Sequence, residues 1–96
     1  GQNVYPEEIE DKLNSMPMVN ESLVVQDKDK LVALVYPDQD EIMNFSQEEL
    51  EAVMDQNREN LNTMLPAYSR ISRIVLRDEE FQKTPKKSIK RYLYHA

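Results

Sequence analysis

Two runs rich in apolar and β-branched residues, Val19–Gln26 and Leu31–Tyr36, lie end to end with only Asp27-Lys28-Asp29-Lys30 between them. No other feature constrains the chain as strongly. Residues of this type fit a pleated, half-buried surface, and a short charged link lets the second run fold back beside the first. The spacing therefore predicts two antiparallel strands joined by a hairpin turn. Leu31–Tyr36 shows no polar alternation, so both of its faces need cover. A chain of 96 residues has to find that cover within one core.

The flanking segments supply it. Val4-Tyr5-Pro6-Glu7-Glu8-Ile9-Glu10 reads as an extended entry into a helix. Pro6 suits the first helical position, where a missing N–H is no loss, and Glu7 and Glu8 complement the positive end of the helix dipole. Ile9, Leu13 and Met16 fall at i, i+4 and i+7 on one face, and Pro17 is expected to stop the helix. Ser46 with Glu49 three residues later has the form of a capping box. Leu50, Val53, Met54, Leu61, Met64 and Leu65 then mark the apolar stripe of a long second helix ending before Pro66. Ile71–Leu76 reads as a third strand, Phe81–Pro85 as a loop, and Ile89 with Leu93 as one face of a short terminal helix. The expected fold class is α+β: one domain over 1–96, with a small antiparallel or mixed sheet of about three strands packed with three helices.

Composition excludes several kinds of protein. There is no cysteine, hence no disulfide framework and no thiol nucleophile, which fits a reducing compartment. No apolar stretch approaches the roughly 20 residues of a membrane helix, and no signal-peptide pattern opens the chain. The sole histidine, His95, is next to the last residue, so neither a Ser-His-Asp arrangement nor a metal-ligand cluster is expected. The sole glycine is Gly1, so no glycine-rich phosphate loop exists. The chain opens at Gly1 without Met, inside patterned sequence, and is expected to begin at a domain boundary.

Charge is unevenly spread. Residues 1–60 hold 15 acids and 4 bases, whereas residues 61–96 hold 3 acids and 8 bases, within a net charge of −6. Either the basic end meets an external anion, or it answers the acidic body of the same fold. Lys83–Arg91 is the one segment dense enough in cations to meet an anion.

Three segments resemble those of a known family. Gly1-Gln2-Asn3-Val4-Tyr5-Pro6-Glu7-Glu8-Ile9-Glu10 resembles the eighth core motif of adenylate-forming ligases: a glycine, a short strand, and a helix opening on a Glu-Ile-Glu pattern. Its wording is close to that of fatty acyl-CoA synthetases. Phe81-Gln82-Lys83-Thr84-Pro85-Lys86-Lys87-Ser88-Ile89-Lys90-Arg91 is similar to their tenth motif, Lys-Thr-Pro, two variable or glycine-containing positions, a lysine, an apolar residue, then Lys-Arg. Leu65-Pro66-Ala67-Tyr68 resembles the Leu-Pro-x-Tyr step before the family's last strand. The resemblance spans essentially all 96 residues.

What it implies is the C-terminal lid domain of a long-chain fatty acid–CoA ligase whose large N-terminal ATP-binding domain lies outside this chain. ATP, CoA and Mg2+ would serve the full-length enzyme, with none bound by this segment alone. Its partners would be its own N-terminal adenylation domain, fatty acid, ATP and CoA, with no nucleic acid, in the cytoplasm or peripheral to the membrane. In such a ligase a carboxylate attacks the α-phosphate of ATP, and coenzyme A then displaces AMP. The lid turns between steps, offering the tenth-motif lysine to the first and the eighth-motif loop to the second. An ammonium stabilises charge developing at phosphorus in a closed site. A glycine at Gly1, with Gln2 beside it, lets backbone approach the pantetheine arm without a Cβ in the way.

One position departs from the family pattern. Aligning Thr84-Pro85 puts Ser88 where the family has its catalytic lysine, with Lys87 one residue earlier and Lys90 matching the second base. In a loop, the long Lys87 side chain can make up a one-residue shift; on a helix the same shift turns it about 100° away. Lys87 is thus a displaced candidate for the catalytic role. Two alternatives stand: a lid from an acyl–acyl carrier protein ligase, and a free-standing binding module whose basic tail meets nucleic acid.

Overall fold

A computed structural model describes residues 3–95 of the chain. The expected pantetheine-facing residues Gly1 and Gln2 lie outside the described residues. The elements run α1 (Pro6–Asn14), β1 (Val19–Asp27), β2 (Lys30–Pro37), α2 (Gln47–Thr63) and β3 (Ile71–Leu76), with single 3₁₀ turns at Ala67–Ser69 and Arg91–Leu93. Pro6 opens α1, and the helix ends at Asn14, three residues before Pro17. Met16 therefore packs against the core from beyond the helix end.

The three strands form one sheet in the order β1-β2-β3. β1 and β2 pair antiparallel, Leu23 opposite Leu34 and Val24 opposite Ala33, with a bulge between Val19 and Glu21. β3 pairs parallel to β2, a return that needs a long crossover. α2 provides it, and its start carries the expected capping box: the Ser46 hydroxyl accepts from the Glu49 amide, and the Glu49 carboxylate accepts from the Ser46 amide.

β2 is buried on both faces, as its unbroken apolar run requires. On one side Val24, Ala33, Val35 and Ile71 pack against Ile9 and Leu13 of α1 and Leu50, Met54 and Leu61 of α2. On the other, Leu23, Val32 and Leu34 pack with Phe81, joined at the margin by Tyr36, Ile89 and Tyr94. The helices thus cover one face, and the segment after β3 covers the other.

That second cover is where the structure departs from the expected third helix. Ile89 pairs across to Lys83 in an isolated antiparallel bridge, and among the described residues the only helical geometry nearby is the one 3₁₀ turn at Arg91–Leu93. Leu93 is exposed. Tertiary partners outweigh local helix propensity here. The Tyr94 ring meets Phe81 edge-on with centroids 5.0 Å apart, and the Arg77 guanidinium lies within 5 Å of both rings, 4.8 Å from Phe81 and 4.7 Å from Tyr94. Those contacts draw the end of the chain across the sheet rather than letting it coil on itself.

Candidate functional site

Gln82–Lys90 forms a β-hairpin. The Lys90 amide donates to Gln82 at 2.9 Å, the Thr84 amide to Ser88 at 2.8 Å, and the Lys87 amide to Thr84 at 2.8 Å. Pro85 follows the first residue of the four-residue turn, where its fixed φ is favoured. Lys87 then takes a left-handed backbone conformation, φ 67°, the usual close of a three-residue hairpin loop. The Ser88 amide donates to the Thr84 hydroxyl and steadies the turn.

The five cations of this segment divide into two groups. Lys83 at the base pairs with Glu21 of β1, and hydrogen bonding to that carboxylate raises its pKa from 10.5. Arg91 at the other base forms a two-pronged ion pair with Glu10 of α1, which raises its pKa above the ordinary arginine value. Arg73 of β3 also reaches the acidic body, 3.6 Å from Asp27. Among the described residues no ion pair engages Lys86, Lys87 or Lys90. Lys86, Lys87 and Ser88 are all exposed at the tip, with Lys90 half-buried below them. The charge asymmetry therefore has two explanations at once: the bases of the hairpin answer the acidic body, and the tip faces outward.

Lys87 stands on a turn rather than a helix, and it shares its exposed tip with Ser88. The geometry brings Lys86, Lys87 and Ser88 together on one turn. Residues just after Gly1 and Gln2 also adjoin open space. Asn3 and Val4 line two shallow cavities of about 180 and 430 Å³, and Tyr68 of the Leu-Pro-x-Tyr step borders both. Tyr5, Met64 and Tyr68 expose large side chains around the smaller one. Among the described residues no three carboxylate or imidazole groups assemble to hold a metal ion, and no helix is long and apolar enough to cross a membrane.

Sequence reasoning singled out both ends of the chain but missed what joins them. Glu10 is buried, 6% exposed. The signal available was an acid set among the apolar positions of α1, one residue from Ile9 and three from Leu13. Glu21, a carboxylate inside an otherwise strand-like run, was the corresponding signal for Lys83.

The model of the AMP-binding enzyme C-terminal domain matches residues 1–96, the whole chain. The chain belongs to that family. As a C-terminal domain of this kind it is similar in structure to a Mycobacterium tuberculosis fatty acyl CoA synthetase (26% identity, TM-score 0.67) and to a Brucella canis acyl-CoA synthetase (26%, 0.71). Each match covers 97% of this chain and 17% of the other. A benzoate CoA ligase from Burkholderia xenovorans shares the fold at 22% identity and TM-score 0.71, over 96% of this chain and 18% of that one. The domain thus spans less than a fifth of each of these longer proteins. None of the curated proteins matches it.

Proposed function

We propose that this C-terminal domain is the mobile lid of an ATP-dependent fatty acid–CoA ligase, acting with a large N-terminal adenylation domain. The single observation behind this reading is the hairpin: its bases are tied to the body by Lys83 and Arg91, while the tip offers lysines to an outside anion. A rigid stem with cationic ends free to approach substrate suits a group brought into a site by domain closure. Lys87 supplies the ammonium that meets the carboxylate and α-phosphate oxygens in adenylation, taking the part that Ser88 cannot. Gly1 and Gln2 are the residues that meet pantetheine; the cavities beside Asn3 and Tyr68 are the nearest described surface in sequence. ATP and CoA are substrates of the whole enzyme, and Mg2+ accompanies the nucleotide. The 26% identity to the two acyl-CoA synthetases, over 97% of this chain and 17% of each of theirs, supports an acyl substrate.

The direct test is product analysis. The full-length enzyme given ATP, CoA and a long-chain fatty acid is expected to form acyl-CoA, AMP and pyrophosphate, whereas the 96-residue chain by itself is expected to release no pyrophosphate. Turnover by the isolated chain, or no AMP from the full-length enzyme with any fatty acid, would overturn the reading.

A further inference from the structure

The two anchors of the hairpin are not equivalent. Lys83 meets Glu21 at the margin of the sheet. Arg91 meets Glu10, the second glutamate of the Glu-Ile-Glu pattern, and that carboxylate also caps an outward-facing amide of edge strand β1. Glu10 Oε2 accepts from the Val24 amide at 2.7 Å and from Arg91 Nη1 at 2.9 Å, while Oε1 accepts from Arg91 Nη2. Glu7 adds a longer contact to the same guanidinium at 3.8 Å. A planar fork on a carboxylate fixes angle as well as distance. Helix α1, strand β1 and the hairpin base therefore meet at one buried group.

We propose that Glu10 and Arg91 are a positioning pair, holding the tenth-motif tip in fixed register with the helix of the eighth motif so that both move as one body. The proposal rests on the lid reading above. Arg91 directly follows Lys90, whose amide closes the hairpin on Gln82, so a tilt of the guanidinium is passed to Lys86–Ser88 through a stem only a few residues long. Misplacement of a reacting group by about 1 Å is enough to cost on the order of a hundredfold in rate. A lid that serves two half-reactions with two segments gains from having one joint between them: a single rotation then places either segment.

Two variants probe the pair. Glu10→Gln keeps the shape and an oxygen for the Val24 amide while removing the charge; Arg91→Lys keeps the charge and removes the fork. In the 96-residue chain, hydrogen exchange at the Thr84, Lys87 and Lys90 amides is expected to quicken about tenfold or more in both, with β2 amides little changed. In the full-length enzyme both variants should lower kcat for adenylation and for thioester formation together, by about tenfold, leaving KM for ATP and fatty acid nearly unaltered. Unchanged hairpin exchange in Arg91→Lys overturns the proposal, and so does fast exchange with undiminished half-reactions or loss of only one of them. Where Glu10→Gln does not fold, Arg91→Lys decides alone. Should the unmodified full-length enzyme form no acyl-adenylate, the lid reading fails, and the exchange result still decides whether the pair holds the hairpin.

Discussion

Met18, Lys28 and Lys87 hold backbone conformations that glycine adopts at least cost, with φ of 65, 59 and 67°. For residues with a Cβ this region costs on the order of 1 kcal/mol each. Lys28 opens the two-residue β1–β2 turn, and Lys87 closes the tip of the basic hairpin. Lys28→Gly and Lys87→Gly are each expected to raise stability by roughly 0.5–1 kcal/mol, read from urea unfolding. Their consequences for catalysis should differ. In the full-length enzyme Lys28→Gly is expected to leave adenylation unchanged, whereas Lys87→Gly is expected to gain stability and lose adenylation, the exchange that the proposed role of a strained Lys87 entails. A stability gain at Lys87 with full activity would remove its proposed catalytic role. The motif around Lys87 was legible from wording alone, but the left-handed turn was not. Lysine carries no turn signal of its own, and the residue that would have announced the conformation, glycine, is absent from the hairpin.

At the scale of elements, the two strands, the capping box and the double cover over β2 were all readable, because each rests on a local pattern. The capping box also sets a pH dependence. Backbone hydrogen bonding from Ser46 lowers the Glu49 pKa below 4.5. A lowered folded value means that this stabilisation is present above pH 4.5 and is lost as pH falls through the folded pKa. Ser46→Ala is expected to cost about 1 kcal/mol at neutral pH, and the stability difference between Glu49→Gln and the parent should shrink on acidification below that range. A difference that stays constant down to pH 3 would show the carboxylate plays no part in the cap. β3 depends on something no periodicity reveals. Its first residue, Ile71, is paired through both amide and carbonyl to the Asn62 side chain, at 2.8 and 2.9 Å. Asn62 imitates a neighbouring strand at the point where α2 hands over to the sheet. Asn62→Leu leaves both backbone groups unmet and should cost about 1–3 kcal/mol, measurable by thermal unfolding; an unchanged melting temperature would show that water replaces the side chain freely. The terminal segment was misread as a helix for a related reason. Phe81, Tyr94 and Arg77 come together only in three dimensions, and their contacts decide the path of residues 81–94.

For the molecule as a whole, the charge division between the two parts of the chain becomes a mechanical one. Arg73, Lys83 and Arg91 are drawn back onto Asp27, Glu21 and Glu10, fastening the later segment to the earlier body. What stays outward is the tip. The sequence pattern was enough to identify the family, and the structure adds that its eighth and tenth motifs are physically joined. Which lysine is best placed for the proposed role was not legible, because Ser88 aligns with the family position and the answer depends on how the turn presents its neighbours. The most direct measurement is ATP–pyrophosphate exchange by the full-length enzyme with Lys86→Ala, Lys87→Ala and Lys90→Ala compared side by side. Lys87→Ala is expected to cut fatty-acid-dependent exchange by roughly a hundredfold or more, the size of losing a preorganised charge, while thioester formation from preformed acyl-adenylate and the other two variants stay close to the parent. Small and equal losses in all three, or a gain of exchange on Ser88→Lys with none lost on Lys87→Ala, would contradict it.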